Sequence, residues 1–279
     1  MKSIIRLALS AAVIVFAATG GSAAPGDEAI NLTAHRAIYD LKLERTRGKR
    51  PLEAVRGRIV YDFSGSTCTG YDLQFRQVTE LDTGEGKVLF SDLRSNTWEQ
   101  GGGQTYRFSS QNIVDRDPAE LVEGNAERRD DKVAVSLVKP QQKSFDFESA
   151  VVFPSEHIRR IVVAARAGQS LLQLPVFDGS ENGEKLYRTL TVIGRQIPPE
   201  KSPSDAAAKE PSLASMPRWP VTVSYFETDT SRGEQTPVYA ITFELYENGI
   251  SRALLLDYGD FVISGEMTTL ELRPDTPCP

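Results

Sequence analysis

Apolar and polar residues alternate with period two along most of the chain. Ala37, Tyr39, Leu41 and Leu43 alternate with Ile38, Asp40 and Lys42, and Val55, Gly57, Ile59, Tyr61 and Phe63 with Arg56, Arg58 and Asp62. The same spacing recurs in Tyr71, Leu73 and Phe75, in Tyr106 and Phe108, in Val133, Val135 and Leu137, and in Tyr239, Ile241, Phe243 and Leu245. Successive side chains of a strand point to opposite faces, so the alternation predicts antiparallel sheet with one dry face and one wet one. Glu247-Asn248-Gly249 has the chemistry of a hairpin turn into a strand over 250–258, and Gly259-Asp260 separates that strand from another over 261–272. In all, about a dozen strands are expected.

One segment departs from this pattern. Over 154–168, Ile158, Ile161, Val162 and Ala165 recur at helical spacing, while Arg159, Arg160 and Arg166 fall largely on the other side. Pro154 and Ser155 suit a helix start, and Gly168 suits a stop. The fold class is therefore all-β, mainly β with one amphipathic helix. A sheet of this many strands with a single helix is expected to curl around it. Such a cup can leave an apolar cavity, for which Ile158, Ile161, Val162 and Ala165 are candidate ligand-lining residues.

Residues 196–217 interrupt the alternation with Pro198, Pro199, Pro203, Pro211 and Pro217 among Ser, Ala and Lys, which reads as a mobile, Pro-rich surface loop. No internal repeat is visible.

Residues 1–24 have the three parts of a secretory signal peptide: Lys2 and Arg6 at a basic start, a short apolar run from Leu7 to Ala18, and the small residues Ser22-Ala23-Ala24. The two cysteines, Cys68 and Cys278, follow it. Two thiols delivered to an oxidising compartment are expected to form one disulfide; two unrelated free thiols are the alternative. Such a bridge spans the Pro-rich excursion, which favours a single domain over 25–279. The chain carries a formal charge of −6, which the loss of Lys2 and Arg6 takes to −8. A net acidic chain with dispersed cations argues against nucleic-acid binding. After the leader no apolar stretch reaches the length of a membrane span, so the mature protein is expected to be exported, soluble and not membrane-spanning.

Catalytic and metal chemistry find little support. His35 and His157 belong to no H-x-x-x-H or H-E-x-x-H arrangement, and His157 reads as a structural hydrogen-bonding group; no metal site and no cofactor are expected. G-x-S-x-G is absent. Ser136-Leu137-Val138-Lys139 spells S-x-x-K inside a strand, where the lysine does not return to the serine. Asp178-Gly179-Ser180-Glu181-Asn182-Gly183 imitates the start of a calcium loop, but Thr189 stands where a bidentate Glu is needed. A tight turn between strands over 171–177 and 185–193 explains the same residues. No catalytic residue is assigned, and the chain reads as non-enzymatic.

The mature chain also resembles the EipB family of cell-envelope integrity proteins, exported proteins of alphaproteobacteria formerly described as a domain of unknown function. The resemblance is carried by His35-Arg36-Ala37 leading to Tyr39-Asp40-Leu41, Gly57-Arg58 with Tyr61 and Phe63, and Cys68 with Gly70-Tyr71. It continues in Phe153-Pro154-Ser155-Glu156-His157, Phe177-Asp178-Gly179-Ser180 and the terminal Cys278. It implies a periplasmic β-spiral, a strongly curved antiparallel sheet or half-barrel wound around one helix, similar to periplasmic carriers of lipids and lipoproteins. It also implies a role in maintaining the Gram-negative envelope under stress, with Cys68 and Cys278 as the family's disulfide. Two functions are then in play. One is a periplasmic protein that binds an apolar ligand, such as a lipid or lipoprotein acyl chain, around the helix. The other is a scaffold or adaptor that docks another periplasmic protein without a small ligand.

Overall fold

The computed structural model describes residues 30–47, 52–84, 86–115, 117–118, 121–148, 150–198, 201–228, 236–274 and 278. The signal peptide expected over 1–24 lies outside the described residues. The first half of the chain forms β1 (His35–Thr46), β2 (Ala54–Ser66), β3 (Gly70–Asp82), β4 (Val88–Glu99) and β5 (Thr105–Val114). It continues with β6 (Asp117–Pro118), β7 (Val122–Arg129), β8 (Lys132–Lys139) and β9 (Lys143–Phe147). After the helix α1 (Pro154–Arg166) come β10 (Leu171–Val176), β11 (Tyr187–Ile193), β12 (Arg218–Glu227), β13 (Tyr239–Tyr246), β14 (Ser251–Asp257) and β15 (Phe261–Leu272).

The strands make one antiparallel sheet in the order β10-β11-β12-β13-β14-β15-β1-β2-β3-β4-β5-β7-β8-β9, with the short β6 on β5. Two meanders are joined where the last strand pairs with the first, His35 opposite Leu272 through Thr46 opposite Phe261. β10 and β9 are the two ends of the order, so the sheet does not close into a barrel. It is nonetheless strongly curved. Gln77 on β3 donates through Nε2 at 3.4 Å to the hydroxyl of Tyr258, in the turn between β14 and β15, although β1 and β2 lie between β3 and β15.

Directly opposed residues of an antiparallel ladder share a face. His35 opposes Phe63, Phe63 opposes Leu73, Leu73 opposes Thr97, Thr97 opposes Phe108, and Phe108 opposes Gly124. That row runs along the concave face, and the helix lies against it. Ile161, Val162, Ala164 and Ala165 share one core with Ala37, Leu41, Ile59, Val221, Phe243 and Leu254. A second core forms where β5, β7 and β8 curve over the segments flanking the helix, bringing Tyr106, Phe108, Ala126 and Val135 against Phe153 and Phe177.

Phe153 is the extended residue before α1 and offers no side-chain cap, while Pro154 occupies the first turn, where a missing N–H costs nothing. The orphan N–H groups of Ser155 and Glu156 instead donate to the Glu99 carboxylate from β4, at 2.6 and 2.8 Å. At the other end Gly168 adopts φ +68°, and Gln169 N–H closes back on the Ala164 carbonyl.

The Pro-rich stretch does not lie loosely on the surface. Two short 3-10 turns, Ala206–Lys209 and Pro211–Leu213, place Ala208 and Leu213 in the main core. Asp205 is buried with them and meets Arg252. Proline and serine content suggests a solvated loop, but partners from β14 and β15 draw this segment inward.

Candidate functional site

A cavity of about 320 Å³ lies between α1 and the concave face of the sheet. Ile158 and Ile161 of the helix line it, facing Ile59 and Phe75 from one side of the sheet and Val223 and Ile241 from the other. Val162 and Ala165 are buried in the main core and are not among its lining residues. The helical stripe read from the sequence thus divides: part of it faces the cavity, and part seats the helix.

Two runs of rings flank the cavity. His35 stacks on Tyr61 at 5.5 Å, and Phe63 stacks on Tyr71 at 5.2 Å, across β1, β2 and β3. Opposite them Tyr225 meets Tyr239 at 5.8 Å, and Tyr239 meets Tyr258 at 5.1 Å. Tyr61, Tyr225 and Tyr239 line the cavity, and burial holds each hydroxyl well above its ordinary range, so all three stay protonated. The Tyr39 hydroxyl, also at the wall, donates to the Ser251 carbonyl at 2.7 Å.

The polar groups gather where the chain enters α1. An isolated parallel bridge between Val152 and Val176 sets the start of the helix beside the end of β10, so Ser155, His157 and Asp178 come to the same cavity. His157 is 4% exposed, and its Nε2 has no hydrogen-bond partner. Burial, helped by the nearby Arg160 and opposed by Glu156, lowers its pKa to about 4, so the imidazole is neutral at physiological pH. The structural hydrogen bond expected of His157 is therefore not made through Nε2. His35 is lowered by burial as well, while its Nδ1 pairs with the Thr33 carbonyl at 2.7 Å and so carries the proton in the neutral ring.

Asp178 opens the turn that resembled a calcium loop. Its Oδ1 accepts from the Ser180 N–H at 2.9 Å, and Asn182 Oδ1 accepts from the Glu184 N–H at 3.0 Å, which is the turn chemistry favoured from the sequence. The Asp178 carbonyl accepts the Tyr106 hydroxyl at 2.8 Å, and burial raises the Asp178 carboxyl. Among the described residues no cluster of His, Cys, Asp and Glu could hold a metal ion.

Glu99 was invisible to sequence reasoning. It sits at the end of β4, a strand with no clean alternation, and a glutamate there reads as a surface residue. Burial pushes its carboxyl up to about 7, against the Ser155 and Glu156 N–H groups that favour the charged form.

Cys68, in the turn between β2 and β3, is disulfide-bonded to Cys278 with Cα atoms 5.4 Å apart, across a separation of 210 residues. Among the described residues no helix is long and apolar enough to cross a membrane.

A family model described as EipB-like matches residues 26–274. A curated relative from Brucella abortus (strain 2308), named "Cell envelope integrity protein EipB", is 36% identical over 268 residues, which is 96% of this chain and 94% of that protein. A crystal structure of a "beta-barrel-like protein of domain of unknown function DUF1849" from Brucella abortus superposes with a TM-score of 0.81 at 35% identity. It covers 88% of this chain and the whole of that one.

Proposed function

This chain belongs to the EipB-like family of cell-envelope integrity proteins, and on that premise we propose that it works in the periplasm, without catalysis, by holding an apolar ligand against α1. The ligand is an acyl chain, of a lipid or of a lipoprotein. The observation that carries this reading is the cavity itself: about 320 Å³ between helix and sheet that the protein's own aliphatic and aromatic side chains do not fill. Interiors close-pack, and a void of this size forgoes contacts that a ligand would supply. Chain burial would drive binding at about 25 cal/mol per Å² removed from water, before the costs of association.

Ile158 and Ile161 would form the helix wall of the site, with Val162 and Ala165 anchoring the helix behind it. The expected leader, the Cys68–Cys278 bridge and the envelope relatives support the periplasmic placement.

The test is native mass spectrometry of the mature protein isolated without detergent, beside a cavity-filling variant, Ile158→Trp. Retained acyl species that disappear in the variant, with melting temperature maintained, support the reading. Wild-type protein that stays ligand-free after incubation with envelope lipids sinks it in favour of an adaptor. For that role the exposed Val88, Leu89 and Val114, on neighbouring ends of β4 and β5, are the apolar surface to examine.

A further inference from the structure

The charge pattern of the cavity wall restricts what can enter. Among the described residues no lysine or arginine lines it. Of the cations on the helix, Arg160 pairs with Glu156 at 2.5 Å, and Arg159 approaches Glu99 at 4.0 Å while its buried Nε has no hydrogen-bond partner; neither is a lining residue. Among the described residues the carboxyl in the wall is that of Asp178, which burial raises and which offers an anion no counter-charge. A phosphate or carboxylate drawn into this space would lose its water and gain no counter-charge, which is the costly way to bury an ion. An apolar chain meets no such penalty.

The same wall holds an unspent polar atom. His157 Nε2 is buried, without a partner, on a side chain that lines the cavity. A buried polar group left unpaired is destabilising, and such groups are rare in native proteins. Nε2 is a donor in one neutral tautomer of the ring and an acceptor in the other. A hydroxyl complements either state, since it both donates and accepts. Ser155, two residues away at the start of α1, brings a hydroxyl to this part of the wall.

We propose that the cavity selects a single-chain amphiphile with an uncharged, hydroxyl-bearing head, and that His157 is the residue that recognises that head. This rests on the acyl-binding reading above and narrows it to a ligand class. The volume agrees: 320 Å³ lies near the bottom of the roughly 300–1,000 Å³ span of small-molecule sites, which suits one chain rather than several. Monoacylglycerols and fatty alcohols fit. Free fatty acid anions and lysophospholipids do not.

The test uses the full mature protein and four probes with the same chain length: monolauroylglycerol, laurate, lauroyl-lysophosphatidylcholine and dodecane. Binding is measured by calorimetry at neutral pH in wild type, His157→Phe and His157→Gln. Monolauroylglycerol is expected to bind wild type about tenfold or more tightly than either charged-head probe. His157→Phe should abolish that preference without changing dodecane binding, which shows the cavity is intact, and His157→Gln should retain part of it. Charged heads bound as tightly as the glycerol head overturn the proposal, as does a preference that survives His157→Phe. Dodecane binding with no preference among heads overturns this inference alone. Failure of all four probes, dodecane included, overturns the acyl-binding reading and this inference with it.

Discussion

Asp205 Oδ1 and Arg252 Nη2 meet at 2.6 Å with both side chains about 4% exposed, across 47 residues of sequence. Arg252 also reaches Glu244 at 2.5 Å, and Glu244 accepts from Arg218 Nε at 3.0 Å. Burial alone would raise the Asp205 carboxyl, but hydrogen bonding to Arg252 and its charge outweigh that and hold it below the ordinary carboxylate range. This buried network pins the Pro-rich segment to the curved sheet. Removing one partner strands the others in a poorly solvated space, so Asp205→Ala is expected to cost about 3–5 kcal/mol in urea unfolding. It should also open 203–217 to limited proteolysis under native conditions. A variant as stable and as protease-resistant as wild type would show that the network does not hold this segment.

Gly179 has φ +68°, and a Cβ built there would lie 2.4 Å from the Phe108 ring. Gly86 has φ +74° with nothing within 4 Å. Alanine at either site bears the left-handed backbone cost of about 1 kcal/mol, but only Gly179→Ala must also displace a core ring. Thermal unfolding should place Gly179→Ala clearly below Gly86→Ala. Equal melting temperatures would mean that the 178–183 turn can lift off β5 without penalty.

His157 and Glu99 set opposing pH dependences. The pKa of His157 falls from 6.5 to about 4 on folding, so its contribution is complete above pH 6.5 and is lost as pH drops toward 4. The pKa of Glu99 rises from 4.5 to about 7, so its contribution is complete below pH 4.5 and is lost as pH rises through 7. Each is worth about 3 kcal/mol at most. Between pH 4.5 and 6.5 the two offset each other. Glu99→Gln should therefore steepen the loss of stability on acidification, and His157→Gln should reduce it, both read from urea midpoints across that window. The same slope in all three proteins would contradict the burial assigned to both groups.

The Cys68–Cys278 bridge closes a separation of 210 residues. In the chain-entropy model a loop of that length stabilises by roughly 5 kcal/mol, less whatever structure the unfolded chain keeps. Cys68→Ser, or added reductant, should lower the melting temperature of oxidised protein. Reductant should leave Cys68→Ser itself unaffected. Coincident melts with and without reductant in wild type would argue that the bridge contributes nothing.

How much of this could be read from the chain depended on where each residue's partner lay. Strands with clean alternation, such as β2 and β13, were legible because one face of each is dry along its whole length. β4, β7 and β9 were not. β4 buries Asp92 on its outer face beneath Arg76 and Arg94, and it ends on the buried Glu99 of the inner face, so polar residues occupy buried positions on both faces. In β7, Gly124 stands on the inner face because the Phe108 ring leaves no room for a side chain. The helix was legible from Ile158, Ile161, Val162 and Ala165, but which of them faces the cavity was not.

The sequence by itself determined the all-β class, the single helix, the hairpin at Asn248-Gly249 and the pairing available to two cysteines. Each of these follows from local periodicity, turn chemistry or simple counting. Only the tertiary structure decided that β15 pairs with β1, that Asp205 finds Arg252, that Glu99 caps α1, and that His157 faces a cavity with Nε2 unpaired. The physical reason is range. Backbone preference and side-chain alternation act within a few residues, whereas burial, ion pairing and cavity shape are set by groups tens to hundreds of residues apart, which meet only once the sheet has curved around its helix.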